Sequence, residues 1–129
     1  MARNNVQHIT SCTISWETTK DMLSVTTRVL PKEIQVRHYI GPNMVTGRIW
    51  PLSEEQKQNL FDLLSSCLEE WEYDDYSVDE ADGPHWQFKI CTKGSCLRTI
   101  TGTTEAPPHG REIKDILTSI MGEENCYFL

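Results

Sequence analysis

Residues 85–101 read HWQFKICTKGSCLRTIT, and this stretch decides the fold. Trp86, Phe88 and Ile90 alternate with His85, Gln87, Lys89 and Cys91, the period of a strand with one buried face. Lys93-Gly94 supplies a two-residue turn, and Cys96 to Thr101 returns as a second strand. In that register Trp86, Phe88 and Ile90 lie opposite Leu97, Thr99 and Thr101. The other face takes His85, Gln87, Lys89, Cys91, Cys96 and Arg98. Cys91 and Cys96 then face each other across the ladder. A cross-strand disulfide is geometrically allowed there, although two reduced thiols are the expected state inside a cell.

Helices flank this hairpin on both sides. Upstream, Ser53 followed by Gln56 forms a capping box, with Glu54 and Glu55 at the positive end of the helix dipole. Leu60, Phe61, Leu63, Leu64, Cys67, Leu68 and Trp71 recur at three- and four-residue spacing and make one apolar face. Beyond Trp71 the chain is an acidic loop running to Pro84, closed by Asp82-Gly83-Pro84. Downstream, Gly102 and Pro107-Pro108 lead to a second helix over 110–121, burying Ile113, Ile116, Leu117 and Ile120. Toward the N-terminus, Val6–Trp16, Met22–Leu30 and Ile34–Ile40 read as strands, with a turn at Thr18–Asp21 and a break at Pro31-Lys32. A short piece at Arg48–Trp50 adds pairing. The expected fold is α+β in the order β-β-β-α-β-β-α. It is an antiparallel sheet of about five strands with two helices on one face, built by residues 1–129 as a single domain.

The second half resembles a group of small, uncharacterised bacterial and mobile-element proteins. Their pattern is a helix ending in Trp, then Asp-Gly-x-x-Trp opening a hairpin, then Gly, then Pro before a final helix. Trp71, Asp82, Gly83, Trp86, Gly102 and Pro108 match it within residues 53–121. The usual Asn-aromatic-Pro step is replaced by Glu105-Ala106-Pro107-Pro108. The resemblance supports the fold and implies no catalytic residues. Packing and turn geometry account for these positions as well.

Charge carries the functional signal. The chain has 129 residues and a net charge of −7. Residues 1–53 hold six Lys/Arg and three Asp/Glu; residues 54–88 hold one Lys and eleven Asp/Glu. That balance opposes direct, sequence-independent binding to nucleic acid. No apolar run reaches the ~20 residues of a membrane span, and the first residues carry no secretory signal, so a cytoplasmic location is expected.

Candidates for chemistry are few. Cys91-x4-Cys96 lacks zinc-knuckle spacing, so no metal is expected. The segment 74–80 misses the EF-hand pattern. No Gly-x-Ser-x-Gly elbow and no Walker-type phosphate loop occur, so neither enzymatic activity nor a cofactor is expected. The C-terminal Cys126-Tyr127-Phe128-Leu129 has the form of a prenylation box by chance. What remains is the acidic segment, where Trp71, Tyr73, Asp74, Asp75, Tyr76, Asp79 and Glu80 interleave aromatic and acidic side chains. Such a charge run is either a solvated face, its commonest fate, or a surface that docks on a basic protein partner, including one that itself binds nucleic acid. The expected function is an acidic inhibitor of the immunity or anti-defence kind, from a bacterium or phage. Two alternatives stand beside it: a ligand-binding domain or enzyme with an anion pocket at Gly102–Arg111, and a structural module of a larger complex.

Overall fold

The structure, a computed structural model, describes residues 9–18, 22–77, 84–92, 95–103 and 107–123. Several expected features lie outside these residues: the first residues of the strand begun at Val6, most of the Thr18–Asp21 turn, the Lys93-Gly94 turn, Asp82-Gly83 and the C-terminal box.

Four strands come first: β1 (Ile9–Glu17), β2 (Leu23–Val29), β3 (Glu33–Ile40) and β4 (Asn43–Pro51). Helix α1 (Glu54–Glu70), β5 (Asp75–Tyr76), β6 (His85–Thr92), β7 (Ser95–Thr103) and α2 (Gly110–Met121) follow. Together the strands make one sheet in the order β4-β3-β2-β1-β6-β7-β5. Every neighbouring pair is antiparallel except β5 and β7, which run parallel. The sheet is therefore mixed and has seven strands, where about five antiparallel ones were expected.

The two extra strands explain what α1 does. β4 lies at one edge of the sheet and β5 at the other, so α1 is the crossover between edges. Seventeen helical residues span roughly 25 Å, close to the roughly 29 Å of six strand spacings. Its start is fixed by the capping box: Gln56 N–H donates to Ser53 Oγ (3.1 Å), and Ser53 N–H donates to Gln56 Oε1 (2.9 Å).

One face of the sheet is buried. Cys12 and Ile14, Val25 and Val29, Ile34 and Val36, Phe88 and Ile90, and Ile100 meet Leu60, Leu64 and Cys67 of α1. Ile113, Leu117 and Met121 of α2 complete the same core. The helix-free face carries Ser11, Thr13, Ser15, Thr26, Gln35 and Gln87, each half-buried at most. No described helix is long and apolar enough to cross a membrane.

The hairpin register departs from expectation by one residue. Phe88 pairs with Ile100, Trp86 with Gly102 and Ile90 with Arg98, whereas Cys91 still pairs with Cys96. A β-bulge between these two registers leaves Leu97 without an opposite residue. Extra residues of this kind flip the facing of everything beyond them. Ile100 therefore enters the core, and Arg98 turns to the helix-bearing face rather than the open one.

Candidate functional site

Arg98 organises the acidic edge. It stands opposite Ile90 where α1 ends, and α1 has no basic residue in its last turn. Its guanidinium supplies that missing charge from the sheet. Nη1 donates to the Trp71 carbonyl (2.7 Å) and more loosely to the Leu68 carbonyl (3.4 Å). Nη2 donates to the Tyr73 carbonyl (3.0 Å), and Nε to Asp74 Oδ1 (2.9 Å). A cation at a helix C-terminus satisfies orphan carbonyls and complements the dipole. The planar fork also fixes the direction in which the chain leaves the helix.

From there the chain is pinned residue by residue. Thr101 N–H donates to the Asp74 carbonyl (2.9 Å), which starts the parallel pairing of β5 with β7. Asp75 Oδ1 accepts from Ser77 N–H (2.9 Å) and from the Thr101 hydroxyl (3.5 Å). Hydrogen bonds from Ser77, side chain first and backbone second, hold the Asp75 carboxyl below the ordinary carboxylate range. Asp75 is thus ionised at neutral pH.

Aromatic rings back this edge. Tyr73 meets Tyr76 edge-on at 5.6 Å, Tyr76 stacks on Trp86 at 6.4 Å, and Trp86 meets Phe88 edge-on at 5.7 Å. Phe88 in turn meets Trp71 at 5.6 Å. The run passes from an exposed Tyr73 through half-buried Tyr76 into the core.

Of the seven residues expected to bind a partner, Tyr73, Asp74 and Asp75 lie together and exposed, with Tyr76 behind them. Trp71 corrects the expectation. It is buried, packed on Phe88, and its Nε1–H donates to the Pro108 carbonyl (2.8 Å), so it joins the two helices instead of anchoring a partner. Asp79 and Glu80 lie outside the described residues. Two pairs from the sequence pattern thus meet in space: Trp71 with Pro108, and Trp86 with Gly102.

The start of α2 carries acidic side chains beside its N-cap. His109 takes the N-cap position in the left-handed region (φ 70°), without a capping side-chain bond. Its Nε2 lies 2.7 Å from Glu70 Oε1 and its Nδ1 2.6 Å from Glu112 Oε1. Those carboxylates, Glu70 first, raise the His109 pKa above its ordinary 6.5. The sign of the linkage follows. The stabilisation is fully present below pH 6.5, and it is lost as pH rises through the raised folded value. Melting temperature should fall across that window. His109→Asn, which accepts the left-handed backbone but carries no charge, should flatten the fall. An unchanged pH profile in the variant would show that the two contacts contribute nothing.

Elsewhere, an open cleft of about 510 Å³ lies at one end of the helix-free face, walled by Ser15, Glu17, Ser77, His85, Gln87 and Thr101. Among the described residues its lining includes Gly102 and none between there and Arg111.

No known protein family, curated protein or solved structure matches this chain.

The thiols have structural settings. Burial pushes the Cys12 pKa far up, and burial followed by nearby Glu112 and Glu70 pushes Cys67 to about 12. Both are protonated at neutral pH, so neither offers a thiolate nucleophile. Cys91 and Cys96 are free thiols opposite each other. Among the described residues no group of three or more His, Cys, Asp or Glu side chains is arranged to hold a metal ion. Arg98 is what the sequence reading missed. The available signal was a helix without C-terminal cations, ending beside an acidic loop and answered by one arginine in the hairpin.

Proposed function

We propose that this protein acts without catalysis, by docking the acidic edge formed by Tyr73, Asp74, Asp75 and Tyr76 on a basic surface of another macromolecule. In its sharpest form it is a cytoplasmic inhibitor of the immunity or anti-defence kind, from a bacterium or phage, whose carboxylates stand in for nucleic-acid phosphates. The observation that carries this reading is the pinning of Asp74 and Asp75 by Arg98, Ser77 and Thr101 beside an exposed tyrosine. Carboxylates already fixed in place lose little freedom on binding, so more of their attraction reaches the complex. The concentration of eleven acids in residues 54–88 adds long-range steering toward a cation.

The test begins with affinity capture from host lysate at low and high salt. Asp74→Asn with Asp75→Asn keeps the shapes and removes both charges. The pair should slow association with the captured partner by roughly 3- to 10-fold, change dissociation less, and flatten the salt dependence. Binding at the wild-type rate and salt sensitivity would reduce the acidic edge to a solvated face. The cleft on the helix-free face favours a second reading, a site for a small polar ligand, because its volume suits one. Ligand-dependent thermal shifts that survive the double substitution would favour it.

A further inference from the structure

The far end of the β6–β7 hairpin carries two thiols that the acidic edge does not use. Cys91 and Cys96 stand directly opposite each other, and the last pair before the connection is Thr92 with Ser95. Where two residues join the strands of a hairpin, the last pair exchanges both of its hydrogen bonds and the pair behind it exchanges none. Cα atoms of a non-hydrogen-bonded pair come within about 4.5 Å, at the short end of the roughly 4.4–6.8 Å that a disulfide spans. The bulge leaves this pair intact, because the extra residue is Leu97, on the other side of Cys96. β6 itself runs without an extra residue, so Cys91 shares the helix-free face with Gln87 and Lys89, opposite Ser11 of β1. The Cys91 side chain is hydrogen-bonded with Cys96 and with Ser11, which puts the two sulfurs side by side. Cys91 is half-buried and Cys96 is exposed.

We infer that Cys91 and Cys96 form a reversible dithiol–disulfide site, closed by a small disulfide of the glutathione class, and that closure clamps the bulge that aims Arg98. Cys96, being exposed, meets the oxidant. Its thiolate attacks one sulfur of the small disulfide, a mixed disulfide forms, and one small thiolate leaves. The Cys91 thiolate then attacks the Cys96 sulfur and expels the second. Two electrons pass from the protein sulfurs to the small disulfide, and the two protein thiol protons end on the two small thiols. Burial, followed by the neighbouring Cys96 thiol, raises the Cys91 pKa, while Lys89 and Ser11 act the other way. Cys91 thus suits the second step, which is intramolecular and has both sulfurs already held together.

In a reducing compartment the resting state is the dithiol, and the disulfides that do form there are mostly transient or redox-sensing. A bond closed at the short end of the Cα range, with one sulfur exposed, is of the readily reduced kind. Leu97 alone separates Cys96 from Arg98. A bond from Cys96 to Cys91 fixes the chain on one side of the bulge, and the pairing of Arg98 with Ile90 fixes it on the other. The facing of Arg98, and with it the guanidinium that holds the Trp71 and Tyr73 carbonyls, is then harder to lose. Closure concerns the protein alone, so it is tested without a partner and stands apart from the acidic-edge reading.

The whole chain, with Cys126→Ser, is equilibrated in buffers of reduced and oxidised glutathione. With the oxidised form in excess, the intact mass should fall by two hydrogens, and peptide mapping should join Cys91 to Cys96. Excess reduced glutathione should restore the dithiol, with the buried Cys12 and Cys67 unreacted throughout. Cys91→Ser should stop at the mixed disulfide and carry one glutathione on Cys96. In the closed form, amide exchange at Leu97 and Arg98 should slow by roughly threefold or more, while β2 and β3 stay unchanged. No closure in excess oxidised glutathione, or cross-linking between chains in its place, would overturn the inference. So would a Cys91→Ser variant that takes up no glutathione, or exchange at Arg98 that is indifferent to closure.

Discussion

Trp86→Ala is expected to destabilise the protein by about 3–5 kcal/mol, the range for removing a fully packed aromatic. Trp86 is 2% exposed, meets the rings of Tyr76 and Phe88, and stands opposite Trp16 of β1 in the strand ladder. Its special feature is the partner opposite. Gly102 leaves open the place a side chain would take, and the indole fills it: a Cβ on Gly102 would lie 2.2 Å from Trp86 Cζ2. Covering a strand glycine with a cross-strand aromatic restores burial that the glycine gives up. Gly102→Ala should therefore destabilise strongly in the wild type and only slightly in the Trp86→Ala background. That coupling is the sharper measurement, because a double-mutant cycle isolates the pair from general cavity effects. Urea melts showing less than about 1 kcal/mol for Trp86→Ala, or additive effects of the two substitutions, would mean that the indole does not lie over Gly102.

Reading the sequence reached those features whose signals are local. Ser53 and Gln56 sit three apart and cap each other, which needs nothing from the rest of the chain. The helix over 110–121 was legible because Ile113 and Leu117 recur on one face. β4 was legible only at Arg48–Trp50, and the physical reason is plain. A strand exposed on both faces has no alternation to read, since burial is what imposes the period. The register of the hairpin was misread for a related reason. Leu97 looks like a core residue by type, and the bulge that expels it is set by Ile100 and Gly102 finding Phe88 and Trp86. Trp71 lies at the border between an apolar helix and an acidic loop, and sequence cannot say to which it belongs. The Pro108 carbonyl decides it, from 37 residues away.

Arg98→Ala is the second large effect expected, about 2–4 kcal/mol by urea melt, since the arginine's hydrogen bonds are charge-assisted and partly shielded. The carbonyls of Trp71 and Tyr73 and the Asp74 carboxylate would lose their guanidinium partner at once. Arg98→Lys should recover only a fraction, because a single ammonium cannot reach three acceptors fanned around a planar fork. Amide exchange should quicken at residues 71–77 and stay slow in β1–β3, where the core is untouched. The same variant separates two ways in which the acidic edge could bind. Losing Arg98 takes the net charge from −7 to −8. If charge alone recruits a basic partner, association should hold or quicken. If fixed carboxylates matter, the complex should dissociate faster despite the added charge, because Asp74 and Tyr73 would have to be ordered at the moment of binding. A variant with less than about 0.5 kcal/mol of destabilisation and unchanged exchange would remove Arg98 from this role, and with it the reason for treating the edge as preorganised.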